Sequence, residues 1–201
     1  ERLEAGADLV TFSGDKLVGG PQAGIIAGRE DLIEKLRRDP FARAMRPDKV
    51  VLAALAATLR LYRAGVAQTT IPIWQQIAAS LDDLERRVTD LLGVIASGPP
   101  LAKPDDGYQL TIAASLTEST VGGGSLPGQA LPSWALSIEG PAPQRLLAAL
   151  RAGSPAVSGR VADGAVLLDL RTVGPEDDDQ LAGAVRTAIE SLPARPQGLI
   201  R

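Results

Sequence analysis

Cysteine and histidine are both absent from this chain of 201 residues. Their absence excludes disulfides, Cys/His zinc sites, Ser-His-Asp triads and the paired histidines of zinc proteases. Aromatic residues are scarce: Phe12, Phe41, Tyr62, Trp74, Tyr108 and Trp134 are all there are. The core must be built from Leu, Ala, Val and Ile, and a base-stacking platform for nucleic acid is excluded. A net charge of -3 gives no global field for nucleic acid or anionic lipid, so any RNA contact is local. Long apolar runs are missing too. The longest uncharged stretches, 64–81 and 119–138, are broken by Pro72, Gln75 and Gln76 and by Gly, Ser and Pro respectively, so neither spans a membrane. No signal peptide opens the chain, and a cytoplasmic location is the default expectation.

Apolar residues make up 45% of the chain, enough for a packed core and against disorder. Glu1 to Gly6 reads as a helix tail ending on a glycine cap, so the chain is expected to be a fragment. Ala7–Phe12 and Ala23–Ala27 have the length of buried strands, and a loop-forming stretch, Ser13 to Gln22, lies between them. A helix is predicted from Arg29 to Arg38, acids first and bases last, with Pro40 as its stop. In a second helix, Asp48–Arg63, residues Val51, Leu52, Leu55, Leu59 and Tyr62 form one stripe expected to be buried, with Asp48 as cap.

Ile71-Pro72 starts a shorter helix. Leu81–Ala96 follows as an amphipathic one, with Leu84, Val88, Leu91, Leu92 and Ile95 inward. Ser97-Gly98-Pro99-Pro100 ends it, and the composition to Gly107 is that of a linker. Strands are then expected at Tyr108–Leu116, Ser133–Ile138, Val157–Val161 and Ala165–Leu170, with helices at Ala142–Arg151 and Glu176–Ser191. That order predicts a small α+β domain with its helices on one face of the sheet. The acidic run Glu176 to Asp179 reads as helix N-terminal charge, and no metal site is expected.

The loop around Lys16 holds the chemistry. A lysine at the end of a strand among Gly14, Gly19 and Gly20 can be brought close to a ligand, and partial burial would favour Schiff-base formation. Composition alone favours a solvated turn lysine. Ser13-x-x-Lys16 also matches the serine/lysine pattern of penicillin-recognising enzymes, but their Ser-Asp-Asn and Lys-Thr-Gly motifs are absent. Lys35, Lys49 and Lys103 fall in predicted helices or the linker, which leaves Lys16 as the candidate.

The string Thr11-Phe12-Ser13-Gly14-Asp15-Lys16-Leu17-Val18-Gly19-Gly20-Pro21-Gln22-Ala23-Gly24 resembles the pyridoxal-phosphate lysine segment of the bacterial selenocysteine synthases, the L-seryl-tRNA(Sec) selenium transferases. The resemblance continues through Arg43 to Lys49, Ile71 to Trp74, Val121 to Pro127 and Leu168 to Val173, in the family's order. It implies the C-terminal half of a fold-type I pyridoxal-phosphate enzyme, classed as α/β plus α+β. Residues 1–67 would be a parallel-sheet remnant of the cofactor-binding large domain, 68–106 connecting helices and linker, and 107–201 the small α+β domain.

By the same resemblance Lys16 would be the catalytic lysine that carries pyridoxal 5'-phosphate, with Ser13 as a possible ligand of the cofactor's phosphate. Arg43 and Arg46, three apart and so on one side of a helical turn, would hold selenophosphate through planar guanidinium forks. The seryl group on tRNA(Sec) would lose its α-proton and β-hydroxyl and take selenium from selenophosphate. Assembly as a homo-oligomer is implied, whereas tRNA would bind mainly through the family's N-terminal half, so these residues alone are expected to be inactive. Gly122-Gly123-Gly124-Ser125 has a phosphate-cradle composition without the lysine of a P-loop, and its role stays open. Two other readings are β-elimination of the ammonia-lyase type on a small substrate, and a non-catalytic assembly module.

Overall fold

The computed structural model describes residues 2–101, 110–122, 130–140 and 142–192, which fall into two units, Glu1–Ala78 and Ala79–Arg201. Tyr108, Lys103, the 106/107 boundary and Gly123 to Pro127 lie outside the described residues. In the first unit, Gly6 at φ +98° carries the two backbone bonds of a glycine cap, Gly6 N–H to Leu3 O and Ala7 N–H to Arg2 O. Strands β1 (Leu9–Ser13) and β2 (Gly24–Gly28) follow, then α1 (Glu30–Arg38), α2 (Pro40–Ala44), α3 (Lys49–Arg63), α4 (Ala67–Thr70) and α5 (Pro72–Ala78).

One expectation for this unit, the burial of the α3 stripe, is corrected. The pair β1–β2 is antiparallel, with Ser13 opposite Gly24 and Leu9 opposite Gly28, so the described residues of this unit hold no parallel strand pair. Residues 14–23 turn the chain straight back, whereas a parallel return needs a crossover of about a dozen residues or more, usually a helix. Pro40 does end α1, but it also opens α2, because proline suits the first turn of a helix and the Asp39 carboxylate accepts from Phe41 N–H at 2.8 Å. Asp48 caps α3 as expected, accepting from Val51 N–H at 2.8 Å. The stripe on α3 is amphipathic but not buried: Leu52 is 42% and Leu59 48% exposed. Within the unit, only Gly14, Ala67 and Ile71 among the described residues are buried.

The second unit is built from α6 (Leu81–Ser97), β3 (Thr111–Thr120), β4 (Ala130–Glu139), α7 (Pro143–Ala152), β5 (Arg160–Ala162), β6 (Ala165–Asp169) and α8 (Asp178–Glu190). Its antiparallel sheet has the order β3-β4-β6-β5, and the α+β arrangement is the one expected. Ser80 caps α6, its hydroxyl oxygen accepting from Asp83 N–H at 3.1 Å. Spacings of four, three and four then bring Leu84, Val88, Leu91 and Ile95 into the core. There they meet Leu146 and Leu150 of α7, Leu136, Ile138, Val166 and Leu168 of the sheet, and Val185 and Ile189 of α8. Helix α6, read as part of a connecting segment, is thus a core element of this unit. Asp163 at φ +50° and Gly164 at φ +81° make the two-residue turn between β5 and β6.

Two polar devices tie the unit together. The Arg87 guanidinium makes a two-pronged pair with Asp178 at 2.9 and 2.7 Å and donates to the carbonyls of Leu170 and Val173. Asp178 is thus a partner for α6 as well as helix N-terminal charge. The buried Asp169 carboxylate accepts from the hydroxyls of Ser119 at 2.5 Å and Ser133 at 2.6 Å, and from Arg171 N–H at 3.1 Å, with Arg160 at 3.6 Å. The buried Arg171 reaches the carbonyls of Ala79 and Pro132, and burial lowers its pKa while Asp169 opposes the shift. Among the described residues, no helix is long and apolar enough to cross a membrane.

Removing the Asp169 carboxylate strands two buried hydroxyls and leaves Arg171 without its nearby counter-charge. Asp169→Ala is expected to cost this unit about 2–4 kcal/mol. Urea unfolding in a Trp74→Phe background, where Trp134 alone reports, measures the loss.

Candidate functional site

Lys16 sits in the turn that joins β1 to β2, and glycine contacts explain how tightly that turn is wound. Gly14 donates to Ala23 O and Gly20 to Gly14 O, both at 2.8 Å, while Gly19 N–H closes on Lys16 O at 2.9 Å. Gly19 is at φ +69°, and a Cβ there would lie 2.2 Å from Cγ2 of the buried Ile71. A Cβ on Gly14 would lie 2.6 Å from Pro21 O. Side chains are excluded at both positions, so the backbone itself forms the cradle. Lys16 emerges from this cradle exposed, the solvated turn lysine that composition alone favoured.

Ser13, half-buried at the end of β1, donates its hydroxyl to the Asp15 carboxylate. That bond, helped by the Asp15 backbone and by the Lys16 charge, holds the Asp15 pKa below its ordinary value of 3.8. The contact is therefore complete above the normal carboxylate range and is lost only as pH falls through the lowered value. Ser13 also borders a cleft of about 900 Å³ walled by Phe12, Ile26, Phe41, Met45 and Val51, among others.

The two arginines are divided by the local structure. Arg43 lies in the last turn of α2, but that helix ends at Ala44 and Arg46 follows outside any helix, so the shared helical face read from their spacing does not exist. Both are exposed, and among the described residues neither makes an ion pair. Their neighbours Ala42, Met45 and Pro47 line the same cleft as Ser13. The cleft thus gathers Ser13 with Ala42, Met45 and Pro47, while Lys16, Arg43 and Arg46 are not part of the lining. Lys35 and Lys49 lie on α1 and α3.

Sequence reasoning missed the residues that hold the turn from outside. The Tyr62 hydroxyl, on α3, lies 3.0 Å from Leu17 O and 2.9 Å from Val18 O, and it accepts from the Trp74 indole N–H. Thr58, one turn earlier, has its Oγ1 3.1 Å from where a Gly20 Cβ would stand. In a chain with six aromatics, the signal was the two polar handles on an otherwise apolar stripe and its successor helix.

The profile of the L-seryl-tRNA selenium transferase family (SelA) matches residues 1–174. The chain belongs to that family. An L-seryl-tRNA(Sec) selenium transferase of Moorella thermoacetica is 44% identical over 191 residues, which are 94% of this chain and 39% of the relative. The protein of that name from Geobacter metallireducens is 41% identical over 188 residues, covering 92% of this chain and 39% of the relative. One from Hyphomonas neptunium is 42% identical over 180 residues, covering 85% and 36%. The chain therefore spans about two fifths of the length of the curated relatives it matches. The family match includes both the Lys16 turn and the two-arginine segment.

Because Gly19 has both a left-handed backbone and no room for a methyl group, Gly19→Ala is expected to destabilise the first unit by about 1–3 kcal/mol. A Cβ at Gly24 meets nothing within 4 Å, and Gly24→Ala is expected to stay within about 0.5 kcal/mol of the parent. Unfolding followed by Trp74 fluorescence in a Trp134→Phe background separates the two.

Proposed function

We propose that the chain is the lysine-bearing part of an L-seryl-tRNA(Sec) selenium transferase, which converts seryl-tRNA(Sec) to selenocysteinyl-tRNA(Sec) with selenophosphate as donor. The observation that carries the reading is the glycine cradle that presents an exposed Lys16 inside the matched family segment. An exposed primary amine on a rigid turn fits covalent attachment of pyridoxal 5'-phosphate, in an enzyme of fold-type I. That cofactor, when bound, supplies an electron sink that makes the α-proton of the seryl group acidic and lets the β-hydroxyl leave.

Lys16 would hold the cofactor through Nζ, and its amine would take and return the α-proton of the seryl group. Ser13 and Asp15 fix the approach to the turn, and Ser13, which lines the cleft, would bind the cofactor's phosphate by turning its one hydroxyl proton from Asp15 to a phosphate oxygen. Arg43 and Arg46 alternate along the chain with the cleft-lining Ala42, Met45 and Pro47, make no ion pair among the described residues, and would bind the tetrahedral oxyanion of selenophosphate. Their exposed neighbours Phe41 and Met45, at 77% and 76%, support burial of this wall against more protein, as in a homo-oligomer. A tRNA substrate places the reaction in the cytoplasm.

Borohydride reduction of the full-length protein with pyridoxal phosphate, followed by peptide mapping, is expected to label Lys16; a label on Lys35, Lys49 or Lys103 instead defeats the assignment. Replacing Arg43 and Arg46 together by Ala is expected to lower kcat/KM for the selenium donor by at least about tenfold, the loss of charge-assisted contacts, with Lys16 labelling unchanged. Steady-state kinetics against donor concentration reads this directly.

A further inference from the structure

The carbonyls of Leu17 and Val18 follow Lys16 directly, and among the described residues no backbone N–H reaches either. The loop's own bonds hold its ends, at Gly14, Gly19 and Gly20, and leave these two acceptors to something outside the loop. Tyr62 meets both, from 45 and 44 residues away. Its hydroxyl has one proton and two lone pairs, and the Trp74 indole nitrogen is a donor only. The Trp74 N–H occupies a lone pair, so the hydroxyl proton is left to point at the Leu17 and Val18 carbonyls. Two helices thereby act on one turn: α3 through Tyr62 and Thr58, and α5 through Trp74, with Ile71 just before it packed on Gly19.

We propose that Tyr62, oriented by Trp74, is a positioning residue for Lys16: by pinning the two carbonyls that follow the lysine it sets the direction in which the Lys16 amine is offered. The proposal rests on the reading of Lys16 as the cofactor anchor. Tyr62 touches neither substrate nor cofactor in this role. Tyr62→Phe keeps the ring and its packing and removes only the hydroxyl, so a change in Lys16 chemistry without a change in melting temperature separates positioning from bulk stability.

The test uses the full-length protein. In the cofactor-free state, amide hydrogen exchange of the peptide covering residues 14–22 is expected to speed up about three- to tenfold in Tyr62→Phe, the loss of one shared hydrogen bond, while β4 and β6 exchange as in the parent. With limiting pyridoxal phosphate, the borohydride-trapped fraction on Lys16 is expected to fall by a similar factor, and the circular dichroism of the bound cofactor to change. Trp74→Phe, which frees the hydroxyl to rotate, is expected to shift both readouts in the same direction by less. Unchanged exchange and unchanged trapping in Tyr62→Phe overturn the proposal while leaving Lys16 as the anchor. A parent protein labelled at another lysine instead removes the anchor reading, and the proposal with it. Should Tyr62→Phe fail to fold, Trp74→Phe decides by the same two measurements.

Discussion

The space between Gly14, Gly19 and Ile71 is the constraint on which the first unit turns. With no room for a methyl group at either glycine, the backbone is forced into one path, and that path makes the antiparallel return from β1 to β2 and leaves Lys16 outside. Helices α3 and α5 matter to the site because they supply the surfaces against which this turn is pressed. The unit spends little of its apolar surface on a private core. Its stability near the lysine comes from steric fit and from a handful of hydrogen bonds with defined donors.

The second unit is organised differently. It has a conventional apolar core between one sheet and three helices, closed by the half-buried pair of Arg87 with Asp178 and by the buried Asp169 with its serines. Such groups add little net stability over apolar replacements, yet they leave few alternative registers once formed. Asp169 joins β3, β4 and the chain after β6, so the strand order is written into one carboxylate as well as into the hydrophobic pattern.

Local signals were legible where they act through the chain's own neighbours. The Asp48 cap, the α6 stripe and the succession of strands and helices in the second unit follow from residues close in sequence. The antiparallel direction of β2 against β1 was not legible, because strand length and hydrophobicity carry no direction. The α3 stripe misled for a related reason: periodicity shows which face is apolar, not whether anything covers it. Arg43 and Arg46 have helical spacing, but Pro47 makes a helical conformation unfavourable for Arg46, and the helix ends first. Tyr62 escaped notice because its partners lie some 45 residues away and are main-chain oxygens, which a side-chain pattern does not display.

The Arg87–Asp178 pair spans 91 positions of sequence. Helix α6 leaves the ribosome first with its apolar stripe formed, but the helix that covers it, α8, is among the last elements of the unit to be made. At about 5–20 residues per second, that stripe waits about 5–20 s for its partner. Nascent chains of this protein thus pass through a period in which Leu84, Val88 and Leu91 are open to chaperones or to neighbouring chains on the same message, and the charged end of α8 closes that period when it arrives.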